Sequence, residues 1–198
     1  MVEVRTLVGA EIEPALPELA ALRIEVFREF PYLYEGSVES EQEYLAEFAS
    51  ADRAALVIAT MEGAIVGAST ALPLAAANDS FIEPFRNAGK DPADWFYFGE
   101  SVLRITLRGQ GVGARFFEQR ERHAADLGFR KMAFCAVDRE PEHPLRPSGY
   151  RPLDGFWGRR GFEKQPGLVA RLAWRQVDGL EVANRLVFWT KELADPQM

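Results

Sequence analysis

Cysteine occurs once in 198 residues and histidine twice, and each scarcity excludes a class of chemistry. A single thiol cannot close an internal disulfide, so a reducing compartment, the cytoplasm, is expected. His123 and His143 show no H-x-x-x-H spacing and no paired cysteines beside them, so no metal centre is expected. Long apolar runs are missing as well. No stretch is long enough to span a bilayer, and the first twenty residues, with Glu3, Arg5, Glu11 and Glu13, lack the apolar centre of a signal peptide. Neither export nor a membrane partner is expected. Basic charge is in deficit, 23 Lys and Arg against 30 Asp and Glu for a net charge of −7. A phosphate polymer needs a continuous basic stripe, so nucleic acid is disfavoured as a partner. With no low-complexity tract and no internal repeat, the length suits one domain over residues 1–198 with a continuous core.

The charge that is present is unevenly placed. Residues 1–99 carry 6 Lys/Arg against 17 Asp/Glu, whereas residues 100–175 carry 15 against 9. A polyanionic ligand on the basic part and a cationic one on the acidic part can each be steered by such potentials. The basic part also holds the densest glycine motif of the chain, Arg108-Gly109-Gln110-Gly111-Val112-Gly113-Ala114. Glycines at this spacing let the backbone approach a ligand closely, and a helix starting there offers free N–H groups and the positive end of its dipole. The segment reads as an anion cradle.

Residues 95–103 before the cradle are aromatic and β-branched and read as a strand. After it, Val112, Phe116, Phe117, Ala124 and Leu127 share one arc of a helix of about four turns, with Arg120 and His123 intruding. Gly128 ends the helix, and residues 131–137 read as a buried strand. Elsewhere strands are expected at 2–7, 54–60, 64–72, 168–175 and 185–191. Helices are expected from Glu13-Pro14 to about residue 30, at 40–48, and briefly at 81–87. The sum is an α/β chain with a central mixed sheet of about seven strands flanked by helices.

Strand, glycine loop, helix and strand in that order fit two families. Gly109-x-Gly111-x-x-Ala114 matches the dinucleotide fingerprint, but the acidic residue due about 20 positions on is absent and little chain remains for a parallel sheet. Arg108-Gly109-Gln110-Gly111-Val112-Gly113 instead resembles the R-x-x-G-x-G/A acetyl-CoA pyrophosphate loop of the GNAT superfamily of N-acetyltransferases. Phe156-Trp157-Gly158-Arg159-Arg160-Gly161-Phe162 is similar to the F-Y-x-x-x-G-F turn that closes that family's cofactor site. The two motifs and the strand between them cover residues 95–165. The resemblance implies a GNAT-like fold that carries acetyl from acetyl-CoA to a primary amine of a small molecule or peptide, releasing CoA. It implies cofactor contacts from Leu103, Arg108, Gly109, Gln110, Gly111, Val112, Gly113 and Ala114, with Trp157 beside the pantetheine arm. A homodimer is compatible with all of this.

Acyl transfer to an amine needs a neutral nucleophile and a route for the leaving thiolate. Glu100, eight residues before Arg108, is the candidate base; the competing reading pairs it with Arg104 or another arginine. Ser101 points to the opposite face. Trp157 stands where the family often has a catalytic Tyr, and an indole cannot protonate a thiolate. Tyr150 is the candidate replacement, and a packing role competes with it. Cys135 reads as a small apolar residue of a core strand rather than a nucleophile. The proline-rich residues 138–154 form an unusually long connection, suited to covering an acceptor pocket or the cofactor's phosphates, or to serving as a connector. Because of Trp157, a CoA-binding sensor or a lapsed relative remains the alternative to an active enzyme.

Overall fold

The computed structural model describes residues 1–193. Its strands are β1 (Glu3–Val8), β2 (Ala55–Met61), β3 (Ala64–Pro73), β4 (Trp95–Leu103), β5 (Lys131–Val137), β6 (Glu163–Arg175) and β7 (Glu181–Glu192). The helices are α1 (Leu16–Phe27), α2 (Val38–Ser50), α3 (Asp79–Asn87), α4 (Val112–Asp126) and α5 (Asp154–Gly158). All seven strands form one sheet ordered β1-β2-β3-β4-β5-β7-β6. Every pairing is antiparallel except β4 with β5. This is a mixed sheet, as expected, and not the parallel sheet that a dinucleotide fold requires.

Alternation along β4 explains the layers. Trp95 and Tyr97 pack on one face with Leu19, Leu22, Leu45 and Phe85 from α1, α2 and α3. Phe96 and Phe98 point to the other, where Phe117 and Ala124 of α4 meet Phe134, Phe162 and Trp189. A strand buried on both faces reads as a nearly continuous apolar run, which is how β4 and β5 read. A third cluster, Val57, Val66, Leu107, Val112 and Phe116, fixes the start of α4 against β2 and β3.

The element boundaries differ from expectation where a local signal had a second meaning. Helix α1 ends at Phe27 rather than near residue 30, because Pro31 disfavours helical backbone just before it. Helix α2 starts earlier than residue 40, since the Ser37 side chain accepts the N–H of Ser40 at 3.2 Å and caps it. Strand β6 begins at Glu163 and not at 168. Pro166 and Gly167 look like a break, but they lie in a register shift between Gln165 and Val169 on an edge strand, where proline is tolerated. Strand β7 likewise begins at Glu181, four residues before the expected start.

Candidate active site

Parallel pairing of β4 with β5 lasts for three registers only, Trp95 with Lys131, Phe96 with Met132 and Tyr97 with Ala133. Both strands continue, to Leu103 and Val137, yet the ladder stops. The cause lies in β4. Against β3, Ser69 faces Ser101 while Ala71 faces Phe98, so Gly99 and Glu100 together oppose Thr70. That is a bulge, which bends its strand and sharpens the twist. Gly99 is required there: a Cβ would stand 2.3 Å from Thr70 Oγ1. The same hydroxyl accepts the Glu100 N–H at 3.2 Å. Bending β4 away from β5 opens a cleft whose walls are the unladdered backbone edges of residues 98–103 and 134–137.

The glycine loop stands at the mouth of this cleft. β4 passes through the short turn Ile105–Leu107 to Arg108, and Gly109 and Gly111 take φ of +76° and +82°. L side chains are strained there, which is why glycine is needed. Gly111 caps α4 in left-handed conformation, with no side-chain cap and no acidic residue in the first turn. The leading N–H groups of α4 are therefore available to an anion. Gln110 Nε2 closes the loop onto the Thr106 carbonyl at 2.9 Å. Gly113 faces the Phe156 ring, 3.9 Å from where its Cβ would be. Arg108 is not free: its guanidinium holds Glu29 at 2.7 and 3.1 Å, and its Nε donates to the Leu103 carbonyl at 3.0 Å. Anion capacity here rests on backbone more than on that side chain.

On the α1/α2 face the bulge delivers Glu100 into a buried charge cluster. Arg23 Nη1 stands 2.6 Å from Glu100 Oε1, and Tyr44 donates its hydroxyl to Glu100 Oε2 at 3.1 Å. Arg23 Nε donates to Glu41, and its guanidinium lies over the Tyr44 ring at 4.3 Å. Burial opposes the Arg23 charge, but Glu100, Tyr44 and Glu41 outweigh it and raise its pKa. Two carboxylates against one guanidinium leave a net charge of −1. The arginine that holds Glu100 is thus Arg23, while Arg104 pairs with Glu25 at 3.2 Å. Ser101 lies away from the cluster, 2.7 Å from Ser69 Oγ. Cys135 meets the Tyr97 hydroxyl at 3.2 Å, and burial pushes its thiol up to about 12, so it is an inert core group.

The long connection at residues 138–154 folds over the turn after α1. Arg139 donates to the carbonyls of Pro31 and Tyr32 at 2.8 and 3.1 Å, and Trp174 Nε1 reaches the same Tyr32 carbonyl at 3.1 Å. Tyr150 packs edge-on to Phe30 at 4.7 Å, and burial raises its phenol pKa. It forms part of this wall. Trp157 lies between Phe134 and Trp189, at 5.0 and 5.1 Å, on the α4 side of β5 and β7. The ring beside the cradle is its neighbour Phe156, the first residue of the closing motif. Arg23, Glu41 and Tyr44 were missed, and no local pattern marks them. Arg120 was visible as an intruder on an apolar arc; it is buried beneath β4, between Phe98 and Phe117. A surface hollow of about 390 Å³ lined by Arg53, Asp94, Gly128 and Lys131 lies at the starts of β4 and β5, away from the cradle.

At the sequence level neither a family model nor a curated protein matches. Solved structures do. A GNAT-family protein from Desulfovibrio desulfuricans superposes with TM-score 0.60 at 16% identity, covering 98% of this chain and 100% of that one. An aminoglycoside 6'-N-acetyltransferase complexed with coenzyme A gives 0.61 at 15% identity over 98% and 99%. The polyamine N-acetyltransferase of Drosophila melanogaster gives 0.58 at 14% over 98% and 100%. The fold is that of the GNAT acetyltransferases. Within this GNAT fold the splayed pair β4/β5 and the uncapped start of α4 are adjacent, although β4 and α4 are built from unlike sequence patterns. No helix of the described residues is long and apolar enough to cross a membrane.

Proposed function

We propose that the chain is an N-acetyltransferase that moves acetyl from acetyl-CoA to a primary amine of a small molecule or peptide, directly in a ternary complex, as one domain spanning residues 1–198. The observation that carries this reading is the bulged β4 splayed from β5 with an uncapped glycine cradle at its mouth. CoA supplies the acyl group as an activated thioester. The backbone at Gly109, Gln110, Gly111, Val112, Gly113 and Ala114 takes the pyrophosphate, and Arg108, tied to Leu103 and Glu29, sets the loop's shape. The edges of residues 98–103 and 134–137 offer hydrogen bonds to an extended arm between them, with Phe156 and Trp157 covering the α4 side.

On the other face the net negative cluster of Glu100, Glu41 and Arg23 attracts a cationic amine, and Glu100 takes its proton. Tyr150 belongs to the acceptor wall with Phe30. The leaving thiol, with a pKa of roughly 8.5, departs as thiolate without a dedicated acid. Polyamine and aminoglycoside acetyltransferases among the structural neighbours support an amine acceptor.

Thermal unfolding with acetyl-CoA, CoA and NADH side by side tests the reading. A true site adds about 2.7 kcal/mol at a hundredfold excess over Kd. Stabilisation by both CoA species and not by NADH is expected; no response to CoA would sink it. Trp157 at the usual Tyr position favours a second reading, a CoA-binding protein that no longer transfers. Release of free thiol with any amine excludes that one.

A further inference from the structure

Two arginines are buried among the described residues, and they are treated in opposite ways. Arg23 is flanked by two carboxylates. Arg120 is 1% exposed and, among the described residues, has no carboxylate at ion-pair distance. Its Nε donates to the Phe116 carbonyl at 3.3 Å. The guanidinium carbon lies 4.5 Å from the Phe98 ring centre and 4.6 Å from that of Phe117. A buried guanidinium that lacks an anion is costly, and its planar fork matches a carboxylate in bidentate fashion.

Its place in the fold says where the anion would come from. α4 runs back beneath β4: Phe116 lies under Gly67 and Leu103, Arg120 under Phe98, and His123 faces Phe96 at 5.7 Å. Phe98 is the last residue before the bulge, so Arg120 lies where the cleft closes. Phe117, Phe134 and Phe162, 5.0 to 5.7 Å from one another, form the dry wall on the β5 side. Eight residues of helix from Val112 to Arg120 span about 12 Å, and five of strand from Leu103 to Phe98 about 17 Å. A ligand anchored by phosphate at the cradle and extended down the cleft therefore brings its inner end to this guanidinium.

We propose that Arg120 is the floor of an acyl subsite for an acyl group ending in a carboxylate, so that the favoured donor is the CoA thioester of a dicarboxylic acid. The inference rests on the CoA reading above and refines acetyl to a longer, charged acyl group. Burial pulls the Arg120 pKa down to about 9, with Glu121 and Glu100 restoring only part of it. A carboxylate delivered by the ligand supplies the missing counter-charge in a site walled by aromatic rings.

Calorimetric titration of the full chain with CoA, butyryl-CoA and succinyl-CoA tests this. The two thioesters have acyl chains of equal carbon count and differ in a terminal methyl or carboxylate. Succinyl-CoA is expected to bind at least about tenfold more tightly than butyryl-CoA. Arg120→Met, which removes a buried charge rather than creating one, is expected to abolish that advantage. Arg120→Lys keeps the charge without the fork and retains part of it. Equal or weaker binding of succinyl-CoA by the natural chain, or an advantage that survives in Arg120→Met, overturns the subsite. Binding of CoA with no carboxylate preference removes this inference alone, whereas no binding of CoA removes the CoA reading and the subsite with it.

Discussion

Replacing Arg120 by methionine should make the protein more stable, and the size of the gain follows from what surrounds the guanidinium. Moving such an ion out of water costs several kcal/mol even after relaxation. Against that stand two aromatic faces, Phe98 and Phe117, each contributing about 0.5 to 2 kcal/mol. One carbonyl bond, to Phe116, adds about 1.5 to 3 kcal/mol for a charged donor. No carboxylate closes the gap. Methionine has a similar reach, keeps the slot between the rings filled, and makes sulfur–aromatic contacts of about 0.3 to 1.5 kcal/mol with no charge to desolvate. Substituting buried ionic groups by apolar residues of like volume stabilises proteins by about 1 to 4 kcal/mol. In a chain of this size that is a rise of roughly 2 to 16 °C in the unfolding midpoint, at about 2 to 4 °C per kcal/mol. Urea unfolding of the two proteins at neutral pH, without ligand, reads the difference directly. A variant less stable than the natural chain by about 1 kcal/mol would show that the guanidinium is a structural support and not a charge held in reserve.

Gly99→Ala should destabilise by about 1 to 3 kcal/mol, the range for forcing an extra carbon into a packed site. Adding Thr70→Ala, which removes the Oγ1 at 2.3 Å, should recover part of it; a neutral single substitution would refute the bulge as a steric necessity. Gly111→Ala meets nothing within 4 Å but must hold φ of +82°, a strain of about 1 to 2 kcal/mol. Its effect should appear as weaker binding of CoA with the fold retained, and unchanged affinity would remove the cradle assignment. Cys135 tests burial on the other face. Its folded pKa of about 12 lies above the unfolded thiol's, so the thiol stays protonated in the fold while the unfolded chain ionises above about pH 8.5. The stability it contributes is complete below that pH and is lost as pH rises toward 12. Cys135→Ala should flatten that decline, and fast alkylation of the natural protein at pH 8 would contradict the burial.

Runs with one meaning were read to the residue. β4 and β5 are apolar, β-rich and closed by glycine or charge, and their bounds coincide with those expected. The glycine loop was legible for the same reason, since positive φ at Gly109 and Gly111 is a local demand that shows as a local residue choice. The cleft was not legible. It depends on Thr70 of β3 standing opposite Gly99 of β4, a relation fixed by register across the sheet and invisible along the chain. The charge cluster failed for a related reason: Arg23 and Glu41 sit on helices whose sequences look like ordinary solvated faces, and only the packing of α1 and α2 over the bulge buries them with Glu100.

The two buried arginines show where the limit lies. Arg120 breaks the apolar arc of its helix and can be flagged from sequence as a misplaced charge, whereas Arg23 looks like ordinary solvated charge although it too is buried. What separates them is the opposite wall: two carboxylates and a tyrosine hydroxyl around one, two phenylalanine rings around the other. A charge neutralised within the fold can hold Glu100 in place toward the acceptor side. A buried charge with no carboxylate at ion-pair distance can do something the first cannot, because only it still has electrostatic energy to give to an incoming anion.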